Sequence, residues 1–270
     1  MFSVSMPRLV SARFVSLSLA ISGLVSFSTS AAGAQQVQYS SAHSSAQRVL
    51  PQTLSGGSKA LLAKLAASRS GISVAVADFD GDGNSDLITG YATSGGGAFT
   101  LQRGSSAATA PSSSDWAAMQ RGELVSPFAQ NAEVTELPVR PDFLKAADID
   151  GNGIVDVVVA AHGDTSAYVL FGDGHGGFSQ PQALPMQGTI TALNTLRTAD
   201  GPSFVVAAVC GGAAGCSLQV VAKDGTVHAS LALPASASAV EAVVVNGHHT
   251  PDLAIIAGGQ LLLADGLSIA

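Results

Sequence analysis

The sequence predicts an all-β fold, a β-propeller built of about four four-stranded blades and incomplete or open as a ring. Three observations predict it. The composition suits short strands, a unit of roughly 48 residues recurs along the chain, and two of the units carry an aspartate-rich turn at the same place.

Of the 270 residues, 47% are hydrophobic, but only 5% are aromatic and 11% charged. Alanine, valine, glycine and serine carry the chain, which favours many thin strands over long charged helices. The formal net charge of −7 argues against nucleic acid as a partner, because phosphate contacts need a basic face. The acidity is also local. Asp78, Asp80, Asp82, Asp86, Asp148, Asp150 and Asp156 fall in two short windows.

The repeat is a Leu-Pro, a spacer, an apolar strand, a turn and a second apolar strand. Leu137-Pro138 precedes Asp156 and VVVAA, Leu184-Pro185 precedes Ser203 and FVVAA, and Leu233-Pro234 precedes Asp252 and LAIIA. The proline stands 18 residues before the opening residue each time. Asp86, which opens LITGY, marks a fourth and more variable copy. Strands in such units are apolar on both faces because each blade packs against a neighbour on either side.

In chain order, residues 1–34 read as a secretory signal. Arg8 and Arg13 accompany a short apolar stretch, Phe14 to Phe27, and Ala32-Gly33-Ala34 fits small-x-small cleavage. That stretch is serine-broken and short of the ~20 apolar residues of a spanning helix, so no membrane span is expected after cleavage. Residues 35–70 read as a linker, in which Ser58 to Arg69 (SKALLAKLAASR) predicts a short helix.

The blades follow at about 71–138, 139–185, 186–234 and 235–270. In the first, Ile72 to Ala77 is the leading strand, and a Ser/Ala/Gly-rich insertion around Gly104 to Gly122 lengthens the unit. In the second, the predicted strands are Phe143–Ala147, Val157–Ala161, Tyr168–Phe171 and Gln182–Leu184. In the third, Cys210 and Cys216 flank Gly-Gly-Ala-Ala-Gly between two apolar runs, as at the ends of a hairpin loop. A disulfide between Cys210 and Cys216, which an oxidising compartment permits, is the expected reading, and two free buried thiols are the alternative. A zinc site needs four ligands, and these two cysteines have no close histidine. The fourth lacks its outermost strand after Leu261–Gly266. Either the array stays open, or four blades close with Gln47 to Pro51 supplying that strand and removing an edge.

The turns DFDGDGNSD (Asp78 to Asp86) and DIDGNGIVD (Asp148 to Asp156) sit between strands. Calcium wants six to eight oxygens. Positions one, three, five and nine offer side-chain oxygens from Asp78, Asp80, Asp82 and Asp86, then Asp148, Asp150, Asn152 and Asp156. Position seven adds a backbone carbonyl from Asn84 or Ile154. Gly83 and Gly153 at position six permit a left-handed turn. About two calcium ions are therefore expected. An EF-hand is excluded, since its position twelve is a bidentate Glu, and Thr89 and Val159 stand there within apolar strands. Units three and four read TLRTADGPS and VVNGHHTPD and offer too few oxygens; His248-His249 reads as a surface turn.

These residues resemble the FG-GAP/VCBS repeat family, whose propellers include the head domains of integrin α chains. The resemblance rests on VAVADFDGDGNSDLITG and on AADIDGNGIVDVVVAAHGDTSAYVLFGDGHGGFSQPQALP, with its GDGHGGF turn (Gly172 to Phe178). It is strong over about 72–103 and 141–187, weak over 188–270 and absent from 35–70. It implies calcium in the first two loops, and family propellers usually have seven blades where four are visible here.

Three functions are weighed. A non-catalytic extracellular binding or adhesion module, taking a protein or glycan ligand, is the expected one. A lectin-like site would use an exposed aromatic, for which Trp116 in the insertion is the candidate, and an accessory propeller of a polysaccharide-degrading enzyme is a related alternative. For an enzyme, no nucleophile-and-base set appears: the six histidines are scattered, and neither G-x-S-x-G nor H-E-x-x-H occurs.

Overall fold

The computed structural model describes residues 25–29, 35–39, 53–67, 71–108, 110–123, 125–198, 201–212, 215–243 and 252–264. Most of the signal stretch, the Gln47 to Pro51 strand and the His248-His249 turn lie outside these residues. The chain divides into two units, Met1–Val49 and Leu50–Ala270. The first contributes one antiparallel pair, β1 (Val25–Thr29) with β2 (Gln35–Tyr39). Among the described residues, no helix is long and apolar enough to cross a membrane.

The second unit opens with β3 (Thr53–Ser55) and α1 (Lys59–Ala67). Ser58 starts the helix: its hydroxyl accepts from the Leu61 N–H at 3.1 Å and its carbonyl from the Leu62 N–H at 3.0 Å. Leu61 and Leu65 fall on one helical face and bury against Ala98 and Val134.

Four antiparallel sheets follow. Blade one holds β4 (Gly71–Ala77), β5 (Asp86–Thr93), β6 (Gly96–Gly104) and, after a 3-10 turn (Ser106–Ala108) and α2 (Ser113–Gln120), β7 (Phe128–Leu137). Blade two holds β8 (Phe143–Ala147), β9 (Asp156–Ala160), β10 (Ser166–Leu170) and β11 (Gln182–Pro185). Blade three holds β12 (Thr189–Leu196), β13 (Phe204–Gly212), β14 (Gly215–Val221) and β15 (Val227–Leu233). Blade four holds β16 (Ala237–Val243), β17 (Asp252–Ala257) and β18 (Gln260–Ala264).

Each sheet is a meander, and the leading strands β4, β8, β12 and β16 are neighbours in that order. This is a β-propeller array with one apolar core at each seam. Phe79, Ile88 and Phe99 pack with Leu144, Val157 and Leu170 between blades one and two. Val158, Ala160 and Val169 pack with Leu193, Val205 and Ala207 between blades two and three. Val206, Ala208 and Leu218 pack with Val240, Leu253 and Ile255 between blades three and four. Every residue of β9 is buried, as a strand sandwiched between two neighbours requires.

The strand count departs from four per blade. Blade one has five, because β3 joins its outer edge parallel to β7. Blade four has three among the described residues. In blade three the constant proline spacing misleads. Leu196 pairs with Phe204, whereas Ala147 pairs with Asp156, so the third blade's turn is one residue shorter. Phe204, not Ser203, therefore stands where Asp156 does. A one-residue slip exchanges the two faces of a strand, and the core contacts fix the correct register.

Candidate metal centres

Both aspartate loops join the first strand of a blade to the second. In each, the residue at position two is apolar and anchors the turn: Phe79 and Ile149 are both buried. Asp78 then organises loop one, its Oδ1 accepting from the Gly81 N–H at 2.8 Å and its Oδ2 from the Gly83 N–H at 2.9 Å. Asp148 does the same, from Gly151 at 2.7 Å and Gly153 at 2.8 Å. Gly83 and Gly153 have φ of 86° and 84°, the left-handed turn the sequence predicts there.

One oxygen each from Asp78, Asp80 and Asp86 lies within 4.8 Å of the others, and Asp148, Asp150 and Asp156 repeat the arrangement. Two oxygens on one calcium at ~2.3–2.6 Å are at most about 5 Å apart, so each triad is compatible with a single ion. The donors are hard oxygens, which suit calcium or magnesium rather than a thiolate- or imidazole-seeking metal. Asp82 stands outside that converging set: its carboxylate is exposed and accepts from the Asn84 N–H at 2.7 Å and the Asn84 side-chain amide at 3.1 Å. Those bonds hold its carboxyl below the ordinary value. Asn152 also bonds locally, accepting from the Ile154 N–H at 2.7 Å and donating its amide to Asp150 Oδ2 at 3.3 Å.

Asp86 and Asp156 are fully buried. Asp86 Oδ2 accepts from the Phe79 N–H at 2.9 Å and Oδ1 from the Gly104 N–H at 2.6 Å. Asp156 accepts from Ile149 at 2.8 Å and Gly172 at 2.9 Å. Desolvation raises both carboxyls, the four N–H donors oppose it, and the neighbouring loop aspartates add to the rise. A bound cation would reverse the balance by favouring the charged form.

The sequence reading misses these roles and three others. The glycines that feed the buried aspartates admit no side chain: a Cβ on Gly104 would lie 2.5 Å from the Ser85 carbonyl, and one on Gly172 2.3 Å from that of Val155. Phe178, from the GDGHGGF turn, inserts edge-on against Phe79 and Phe99 of blade one at 5.7 and 5.3 Å. Arg103 donates to Asp80 at 2.7 Å, to Glu133 at 3.3 Å and to the His175 carbonyl at 2.8 Å. Partial desolvation works against its charge, and the two carboxylates outweigh it, so its pKa is raised.

Each loop is also tied to the next blade. The Gly176 N–H donates to the Phe79 carbonyl at 3.1 Å, and the Ser203 N–H to the Asp148 carbonyl at 2.7 Å. Lys223 of blade three reaches the Asp150 carbonyl at 3.3 Å. The loops therefore sit at blade seams rather than on free turns.

Elsewhere, Cys210 and Cys216 face each other across β13 and β14 and are joined by a disulfide. His162 lies 6.3 Å from the Phe143 ring, His228 packs edge-on against Phe204 at 5.0 Å, and the His175 N–H donates to Asp173. A shallow groove of about 460 Å³ is lined by Glu136, Leu137, Tyr168, Gln180 and Pro181, with no histidine or cysteine among its lining.

Residues 70–101 match the family model of the FG-GAP repeat, so the chain carries an FG-GAP repeat across β4, loop one, β5 and most of β6. No curated protein matches. Two crystal structures of BBS1N in complex with ARL6DN are similar to this chain. The one soaked with mercury is 12% identical over 73% of this chain and 54% of that chain, with a TM-score of 0.43. The one soaked with lead is 13% identical over 72% and 58%, with a TM-score of 0.44. The chain thus spans little more than half the length of those chains.

Proposed function

We propose that this chain is a secreted, calcium-binding β-propeller module that binds an extracellular protein or glycan without catalysis. The observation that carries the calcium reading is the pair of carboxylate triads, Asp78/Asp80/Asp86 and Asp148/Asp150/Asp156, each within the span of one ion. Within each triad the three carboxylates held this close repel, by ~1 kcal/mol per pair in water at 4 Å and ~4 kcal/mol at an effective dielectric of about 20. A hard divalent cation relieves that cost. The FG-GAP match over the first loop supports the same reading.

The metal acts as a staple at the seams. At a dissociation constant of ~10⁻⁴–10⁻³ M, millimolar calcium stabilises each loop by about 0.4–1.4 kcal/mol. The disulfide between Cys210 and Cys216 supports an oxidising compartment, in keeping with the signal-like start of the chain. Calorimetric titration with calcium chloride is expected to find about two sites in the wild type and none in Asp80→Ala/Asp150→Ala. Undiminished binding in the double variant ends the assignment.

A glycan-binding reading has one observation in its favour. Trp116 is 56% exposed on α2, a helix with no buried residue. An aromatic held on a capped surface helix is a stacking platform for a sugar ring. Glycan-array signal that disappears in Trp116→Ala selects this reading over protein adhesion.

A further inference from the structure

The two loops are not equivalent. Position five is Asp82 in loop one and Asn152 in loop two. The residue just before the glycine that donates to the buried aspartate is Arg103 in blade one and Phe171 in blade two. Loop one thus has an extra carboxylate and a guanidinium paired with a triad carboxylate; in loop two the nearby cation, Lys223, reaches the Asp150 carbonyl instead of its carboxylate. Arg103 Nη1 lies 2.7 Å from Asp80 Oδ2, and Asp80 belongs to the converging triad. The side chain of Asp80 is largely buried beneath this contact, while Asp150 has only the Asn152 amide at the matching oxygen.

We propose that Arg103 is the resident counter-ion of the first loop, which a divalent cation must displace from Asp80, so that loop one binds calcium more weakly than loop two. The inference rests on the reading that both loops bind calcium. The displaced guanidinium is not left unpaired. Its Nη2 already reaches Glu133 Oε1 at 3.3 Å and the His175 carbonyl at 2.8 Å. Glu133 is more than half exposed on β7, with room to take the charge that Asp80 gives up. His175 belongs to the turn that seats Phe178 in blade one, so occupancy of loop one and the first seam share one side chain.

The test is calcium chloride titration of the full chain by calorimetry at fixed salt, on two backgrounds. Asp150→Asn leaves loop one to be read, and Asp80→Asn leaves loop two. On the Asp150→Asn background, Arg103→Gln is expected to tighten calcium binding about tenfold, equal to ~1.4 kcal/mol. Glu133→Gln, which confines the guanidinium to Asp80, is expected to weaken it by roughly two- to threefold. On the Asp80→Asn background Arg103→Gln changes nothing. Calcium binding on the Asp150→Asn background that Arg103→Gln leaves unchanged or weakens overturns the counter-ion role alone. Should Arg103→Gln fail to fold, Glu133→Gln decides, and an unchanged or tighter loop one overturns the role. Absence of calcium binding in the wild type overturns the calcium reading, and this inference with it.

Discussion

A buried carboxylate needs a reason, and Asp86, Asp156 and Asp252 supply two different ones. Asp86 and Asp156 each satisfy two backbone N–H groups, one from the loop and one from the end of the third strand or just beyond it. Asp252 opens β17 from the matching position and is also buried, although VVNGHHTPD before it lacks the other acidic positions. The slot therefore keeps its aspartate where the triad is lost, which separates a structural role from a metal role. In metal-free buffer, Asp156→Ala is expected to cost about 3 kcal/mol by urea denaturation, because two N–H groups lose a charged acceptor. Asp150→Ala, at the loop surface, is expected to cost under about 1 kcal/mol in the same buffer. Equal losses would mean that the buried aspartate does nothing beyond what the other loop carboxylates do. From sequence, spacing marks Asp86 and Asp156 as candidate ligands, because acidic residues at alternate positions are visible in the string. Their second role is invisible there, since the partners, Gly104 and Gly172, lie two strands away.

The same limit governs the elements. β8 runs over the predicted Phe143–Ala147, and β9 and β10 start one or two residues earlier than predicted. Alternating and continuous apolar runs mark strands well, while their ends are set by turns that compete for the same residues. β3 was not legible at all, because its pairing among the described residues is a parallel one with Asn131 to Glu133, far along the chain. The third blade's shortened turn was hidden by a proline spacing that stays constant through it. The turn glycines, by contrast, carry a clear expectation at this scale. Gly172→Ala places a Cβ 2.3 Å from the Val155 carbonyl, a backbone atom that cannot yield without pulling the Gly172 N–H off Asp156. A loss of ~2–3 kcal/mol is expected in thermal or urea melts. Gly163→Ala is the control: its φ is 84° but nothing lies within 4 Å, so only backbone strain of about 1 kcal/mol is at stake. If the two variants melt alike, the close approach at Gly172 is not what fixes that residue.

At the scale of the whole array, the two end blades differ in how their outer faces are finished. In blade one, the positions matching Val159, Tyr168 and Leu170 of blade two are Thr89, Thr100 and Gln102, and α1 packs over Tyr91, Ala98 and Val134 on the same face. Polar substitution and a covering helix are how a stack of repeats ends. Val74 and Val76 of β4 stay exposed there. Blade four is not finished in this way. Aligning Asp252 with Asp156 places Ile256, Leu261 and Leu263 where blade two has Ala160, Ala167 and Val169. Those three are at most 1% exposed against blade three, whereas Ile256, Leu261 and Leu263 are 44%, 67% and 57% exposed. The sequence carries the repeat that builds each seam, but a seam's last face looks the same in the string whether or not a neighbour follows. Stability measurements distinguish the two cases. Val169→Ala empties part of a closed core and is expected to cost about 2 kcal/mol. Leu261→Ala/Leu263→Ala, made on an open face, is expected to lower the unfolding free energy from urea denaturation by no more than about 0.5 kcal/mol per site. The apolar surface removed also predicts less self-association in light scattering for the double variant. A destabilisation by the double variant as large as that of Val169→Ala would show the fourth blade's face to be covered in solution, and the array to be closed at that end.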